Sequence, residues 1–317
     1  MSLPAAARLQ RSLIAGVLTI SGLATACSTP GTAADGSVAP TPPVGALPTS
    51  GGPAVPAPPN VMVIVEENHS QDDIIGNPAL PFLNDLAHTY GQATNYVGVS
   101  HPSEPNYLAM VSGSIWNNPP DRTPQDGTYS GPTVVDQLAE HGIGWKAYLE
   151  DMPQPCDLTD SYGPGGYDVN HNPFLYFTKV RSSTAQCGRD VPFTQFASDL
   201  NAGTAPPFIF VAPNTTNDMH DGTLQQGDAW LSTQFRTIFA SSWYRQGGTV
   251  VLTFDEGETA EQVATVVVSE RDRGIAPLTT PINHYGLLRG IEETYGLALL
   301  GSAADPASGD LKPLLTQ

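Results

Sequence analysis

Ser103 sits in the run His101-Pro102-Ser103-Glu104-Pro105-Asn106, where a loop enters a segment of helical character, Tyr107 to Val111. A hydroxyl there lies close to backbone N–H groups at the positive end of a helix dipole, a position that favours an attacking alkoxide and a bound phosphate alike. Serine is also a good helix N-cap, so the residue alone has a structural reading too. Three more polar clusters are placed in the same way. Glu66-Glu67-Asn68-His69 closes one apolar run, Asn214 to Asp221 (NTTNDMHD) closes a second, and Asp255-Glu256-Gly257-Glu258 closes a third. Each has a bland alternative as a cap or a solvated turn, and Asp218, His220 and Asp221 could form a simple polar turn. The step Asp255-Glu256 is harder to dismiss, because adjacent acids leaving a buried strand repel unless a cation or solvent intervenes.

The elements around these clusters decide whether they can meet. Val61 to Glu66 (VMVIVE), Pro207 to Ala212 (PFIFVA), Thr249 to Phe254 (TVVLTF) and Val263 to Val268 (VATVVV) read as strands buried on both faces. Asn95 to Val99 and Gly144 to Leu149 read as further strands. Helices are expected over Pro81–Tyr90, after Ser103, over Thr133–His141, Phe193–Leu200 and Leu224–Tyr244, and over His284–Tyr295. Alternating buried strands and helices predict an α/β fold with a mostly parallel sheet covered on both faces. Ligands of such sheets bind beyond the carboxyl ends of the strands. The four clusters therefore outline one composite site.

The ends and the composition set the context. Arg8 and Arg11 precede an apolar stretch, Leu13 to Thr25, that is short for a membrane span and reads as an export signal over residues 1–26. Ala24-x-Ala26 suits an ordinary signal-peptidase site, and small residues before Cys27 also suit lipidation of that cysteine. Membrane contact through an N-terminal lipid anchor on Cys27 is the expectation, with a freely secreted product the alternative. Residues 27–59 form a Pro/Ala/Gly-rich tether with too little apolar surface to offset its ordering entropy, and 60–317 is expected to be one catalytic-sized domain. Cys156 and Cys187, in an exported chain, are expected to form a disulfide that staples a long excursion over 151–190. The net charge is −18, which speaks against nucleic acid as a partner and requires a bound cation wherever a phosphate is handled.

The string Pro102-Ser103-Glu104-Pro105-Asn106-Tyr107, closing with Val111-Ser112-Gly113, resembles the nucleophile segment of nucleotide pyrophosphatases and related phosphodiesterases. Glu67-Asn68 is similar to the Glu-Asn of bacterial phospholipases C and acid phosphatases. Further matching segments are Asn217 to Gly222, Gln226 to Leu231, Asp255-Glu256 and His284-Tyr285. On these residues the chain resembles the phosphoesterase family of bacterial acid phosphatases and phospholipases C, within the alkaline-phosphatase superfamily. The resemblance implies an alkaline-phosphatase-like fold, with Glu67, Asn68, Asp255, Glu256 and the Ser103 hydroxyl as metal ligands. An all-oxygen set suits Mg²⁺, Ca²⁺ or Mn²⁺ better than zinc. Asn106 would contact a phosphoryl oxygen. Asp218, His220, Asp221 and His284 fall where a second metal or phosphate contacts belong.

The activity implied is an exported phosphomonoesterase acting on a phosphorylated small molecule or a phospholipid head group, phosphoinositides included. Ser103 attacks phosphorus, and His220 or His284 protonates the leaving oxygen. Two rivals stand beside it. One is a phosphodiesterase of the phospholipase C type, and the other a lipoprotein that binds metal or phosphate without catalysis.

Overall fold

The computed structural model describes residues 57–117, 119–163, 165–258 and 261–316. The export signal, Cys27 and most of the tether lie outside the described residues. The main sheet has strands β1 Val61–Glu66, β2 Gly91–Gln92, β3 Trp145–Leu149, β4 Asp190–Pro192, β5 Phe208–Ala212, β6 Thr249–Phe254 and β7 Thr265–Val268. Their spatial order is β2-β7-β6-β1-β5-β3-β4. From β6 across to β4 all pairings are parallel, while β7 runs antiparallel to β6 and β2 antiparallel to β7.

Every residue of β1 is buried, as a β-branched run covered on both faces should be. Its register sets Val61 beside Phe208 on one side and Thr249 on the other, and Glu66 beside Phe254. The carboxyl ends of β5, β1 and β6 therefore come out side by side. The helices of seven residues or more are α1 Pro81–Thr89, α2 Ser103–Ser112, α3 Val134–Glu140, α4 Phe196–Ala202, α5 Leu224–Ala240 and α6 His284–Tyr295. α1 and α4 pack on α5, and α2, α3 and α6 pack on one another. α2 is seated on the sheet by Tyr107, whose ring meets Phe210 of β5 edge-on at 6.3 Å.

Two local expectations are corrected, and two strands appear that were not expected. The strand expected over Asn95–Val99 shrinks to Tyr96–Val97, which pairs with Ile282–Asn283 outside the main sheet. The helix expected over Leu224–Tyr244 stops at Ala240, because Ser241 turns extended and its hydroxyl caps a new turn at Tyr244 N. β2 and β4 are short edge strands that carry no run of apolar residues. The disulfide between Cys156 and Cys187 is present, and no helix among the described residues is long and apolar enough to cross a membrane.

Candidate active site

α2 begins at Ser103, with Pro102 in the N-cap position and no side-chain cap bond. Ser103 is buried, and its Oγ donates to Glu67 Oε2 at 3.1 Å. Glu67 reaches the spot because it is the first residue past β1, where its N–H bonds Asp218 O at 2.9 Å. Tyr107, one turn further along α2, donates its hydroxyl to Glu67 Oε1. The β6 cluster closes the other side: Asp255 N donates to Glu66 O at 3.0 Å, and Asn68 N donates to Asp255 Oδ1 at 3.1 Å. Asn68 holds φ 53°, a left-handed turn that Asn tolerates better than most residues.

His171 joins this group although nothing in the sequence reading singled it out. Its ring stacks on Tyr107 at 5.2 Å, with Nε2 3.4 Å from Glu67 Oε1 and Nδ1 3.4 Å from Asp218 Oδ2. It is held there by the stapled excursion. The side chain of neighbouring Asn172 donates to Asp190 Oδ2 at 2.8 Å on edge strand β4, whose Asp190 carbonyl accepts from Cys156 N at 3.0 Å. The usable signal was the polar stretch Asn170-His171-Asn172 between the two cysteines.

Electrostatics follow from burial. Glu66, Glu67, Asp218 and Asp255 are all 0% exposed. Burial first, then Asp218 and Glu150, pushes the Glu66 carboxyl well above its ordinary range. Burial and the neighbouring Asp255 push Glu67 the same way, while the His171 imidazole and the Tyr107 hydroxyl pull it back towards the ionised form. Burial alone would lower His171, but Glu67 and Asp218 outweigh it and hold the imidazole protonated. Burial and Asp255 push Glu256 up to about 8.

Other expected residues land differently. Asn106 is wholly buried, and its amide is engaged in the loop before α2: Oδ1 accepts from Val99 N and Ser100 N at 2.9 and 3.1 Å. Its Nδ2 donates to Ser100 O at 2.8 Å and to Glu256 Oε2 at 3.2 Å. In this geometry its amide is spent on holding the loop before α2 and on Glu256. His284 corrects the expected proton donor. It is 0% exposed, its Nε2 donates to the Asp255 carbonyl, and its Nδ1 accepts from Tyr96 Oη at 2.9 Å. Burial takes its pKa down to about 4, so it stays neutral. His220 pairs with Asp221 at 2.9 Å on the exposed rim, and only its backbone N–H turns inward, to Asp218 Oδ1 at 2.8 Å. His101 spans Glu256 and Glu261 at 2.8 and 3.2 Å.

The donor chemistry fits a hard cation. Asp255 Oδ2 and both Glu66 oxygens are buried without a hydrogen-bond partner, and the available donors are oxygens. No three His, Cys, Asp or Glu side chains among the described residues already converge as a ligand sphere. Glu67 Oε1 is bonded to Tyr107 and His171 and Oε2 to Ser103, so Oε2 keeps one lone pair for a cation.

Comparison with known proteins gives the family and the fold. The model of the phosphoesterase family matches residues 77–297. The phosphatidylinositol-3-phosphatase of Mycobacterium tuberculosis is 34% identical over 267 residues, 83% of this chain and 86% of that protein. The phosphate-repressible acid phosphatase of Penicillium chrysogenum is 30% identical over 69% of this chain, which spans 55% of that longer protein. Among solved structures, an alkaline-phosphatase-superfamily protein from Vibrio parahaemolyticus aligns with TM-score 0.53 at 12% identity, over 78% of this chain and 70% of its own. A phosphonate monoester hydrolase from Silicibacter pomeroyi aligns with TM-score 0.54 at 13% identity, over 81% and 76%. The fold is alkaline-phosphatase-like.

Proposed function

The chain belongs to the phosphoesterase family and is a hydrolase acting on phosphoric esters, and from that premise we propose that it is an exported phosphomonoesterase with Ser103 as its nucleophile. The observation that carries this reading is the Ser103 Oγ to Glu67 Oε2 bond of 3.1 Å at the first residue of a ten-residue helix. The helix start stabilises negative charge on the hydroxyl oxygen and on the phosphoryl group. Glu67 orients the hydroxyl and receives its proton as the O–P bond forms. The ester oxygen leaves with a proton from His171, which Glu67 and Asp218 hold charged. Water then hydrolyses the phosphoserine: His171, now neutral, takes the proton of the attacking water, and Glu67 returns its proton to the departing Ser103 oxygen.

Glu67, Asn68, Asp255 and Glu256, with the Ser103 hydroxyl, would hold a divalent cation. Bound there, it would supply positive charge for the phosphoryl oxygens in a chain whose net charge is −18. The substrate class we favour is a phosphate monoester on a small polyol or lipid head group at the outer cell surface, reached from a lipid on Cys27.

The test is Ser103→Ala against Ser103→Thr at matched folded concentration, with intact mass after acid quench to trap phosphoserine. As nucleophile, Ser103→Ala loses several powers of ten in turnover while Thr keeps a measurable rate. If the hydroxyl serves only to hold Glu67 in place, Ala costs roughly 1–3 kcal/mol of stability and leaves the rate intact. The latter result rejects the assignment. A preference for bis(p-nitrophenyl) phosphate over the monoester would favour a phosphodiesterase instead.

A further inference from the structure

One contact at the start of α2 is left over by this chemistry. Asp121, on the loop after the helix, places Oδ1 2.9 Å from Glu104 N, so a carboxylate already occupies an N–H group of the first turn. The next residue, Pro105, has no N–H to offer. The contact is reciprocal, because Arg122 N donates back to Glu104 Oε2 at 3.1 Å.

This carboxylate is held in place from several sides. Tyr129 donates its hydroxyl to Glu104 Oε1 at 3.1 Å, and the Arg122 carbonyl accepts from the Tyr176 hydroxyl. Tyr129 stacks on Trp116 at 4.8 Å, and Trp116 Nε1 is tied to Ser112 Oγ at 2.9 Å at the far end of α2. The loop is thereby fastened to both ends of the nucleophile helix. Asp121 itself is exposed, and its negative charge acts on both Glu104 and Glu256.

We propose that Asp121 is a specificity-determining residue that holds a fixed negative charge at the mouth of the Ser103 site and weakens the binding of phosphate dianions. The inference rests on the Ser103 reading given above. A helix start that attracts anions is here already partnered by one. An incoming phosphate meets a carboxylate at the donor it would otherwise use, and released inorganic phosphate is repelled in the same way. The charge thus disfavours product inhibition at the cost of a higher KM.

Asp121→Asn separates charge from capping, since its amide oxygen can still accept from Glu104 N while the charge is gone. KM for p-nitrophenyl phosphate and Ki for inorganic phosphate are expected to fall together by several-fold. Asp121→Ser, which also keeps an acceptor, is expected to do the same and serves if the Asn variant folds poorly. Unchanged KM and Ki in a folded variant, with Ser103→Ala inactive, overturn this inference alone. Full activity in Ser103→Ala overturns both it and the nucleophile assignment.

Discussion

His284 donates from Nε2 to the backbone carbonyl of Asp255, the residue that also receives Asn68 N on its carboxylate at 3.1 Å. With Tyr96 Oη on Nδ1 at 2.9 Å, both ring nitrogens are satisfied inside the protein. The imidazole is therefore a strut for the end of β6 rather than an acid. His284→Gln, which can keep a donor to that carbonyl, should retain most of kcat. His284→Ala leaves a buried carbonyl and a buried hydroxyl unpaired, costing roughly 1–3 kcal/mol each, and should lower Tm and kcat together. Loss of all turnover in a stably folded Gln variant would return His284 to the list of proton donors.

His171 should behave in the opposite way. If it protonates the leaving oxygen, His171→Asn should slow esters of poor leaving groups by roughly 10²–10⁴-fold. p-Nitrophenyl phosphate, whose leaving group needs little help, should suffer far less. A uniform loss across leaving groups would show instead that His171 acts only by balancing Glu67 and Asp218.

The contrast between these two histidines shows what the sequence could reveal. β1 and β6 are found where the apolar runs Val61–Glu66 and Thr249–Phe254 place them, because a strand buried on both faces has an unbroken pattern. α6 likewise begins at His284, after an Asn283 side chain that caps Tyr285 N and Gly286 N at 3.0 and 3.2 Å. Glu67, Ser103 and Asp255 were legible because each directly follows a strand or opens a helix. His171 was not, since it sits in an excursion without periodicity and meets Glu67 and Asp218 only in three dimensions. Asn106 and His284 were legible as important, but their roles depend on which partners surround them, and spacing along the chain does not give that.

A bound cation should show itself in stability as well as in rate. Four carboxylates with 0% exposure crowd around the single imidazole that bridges two of them, and excess buried negative charge is costly. Adding Mg²⁺, Mn²⁺ or Ca²⁺ to chelator-treated protein should raise Tm in a concentration-dependent way. Asp255→Asn should shift that dependence to higher metal concentration and cut turnover. A Tm indifferent to all these cations after exhaustive chelation, with activity intact, would assign the carboxylates another part.

Far from the site, Glu292 of α6 gives a test of the fold by pH. It is 0% exposed and accepts from Leu300 N at 3.1 and 3.2 Å, and burial pushes its carboxyl up to about 8 from an ordinary value of 4.5. The folded state thus binds this proton more tightly than the unfolded chain. Its contribution to stability is fully present below about pH 4.5 and is lost as the pH rises through about 8. Asp190, pushed up to about 7 by burial, acts in the same direction. Wild-type Tm should therefore fall between pH 5 and 8, and Glu292→Gln, which keeps an acceptor for Leu300 N without a charge, should flatten part of that slope. The variant should match wild type at pH 5 and exceed it at pH 8. Parallel Tm curves for the two proteins across this range would mean that Glu292 is ionised in the folded state.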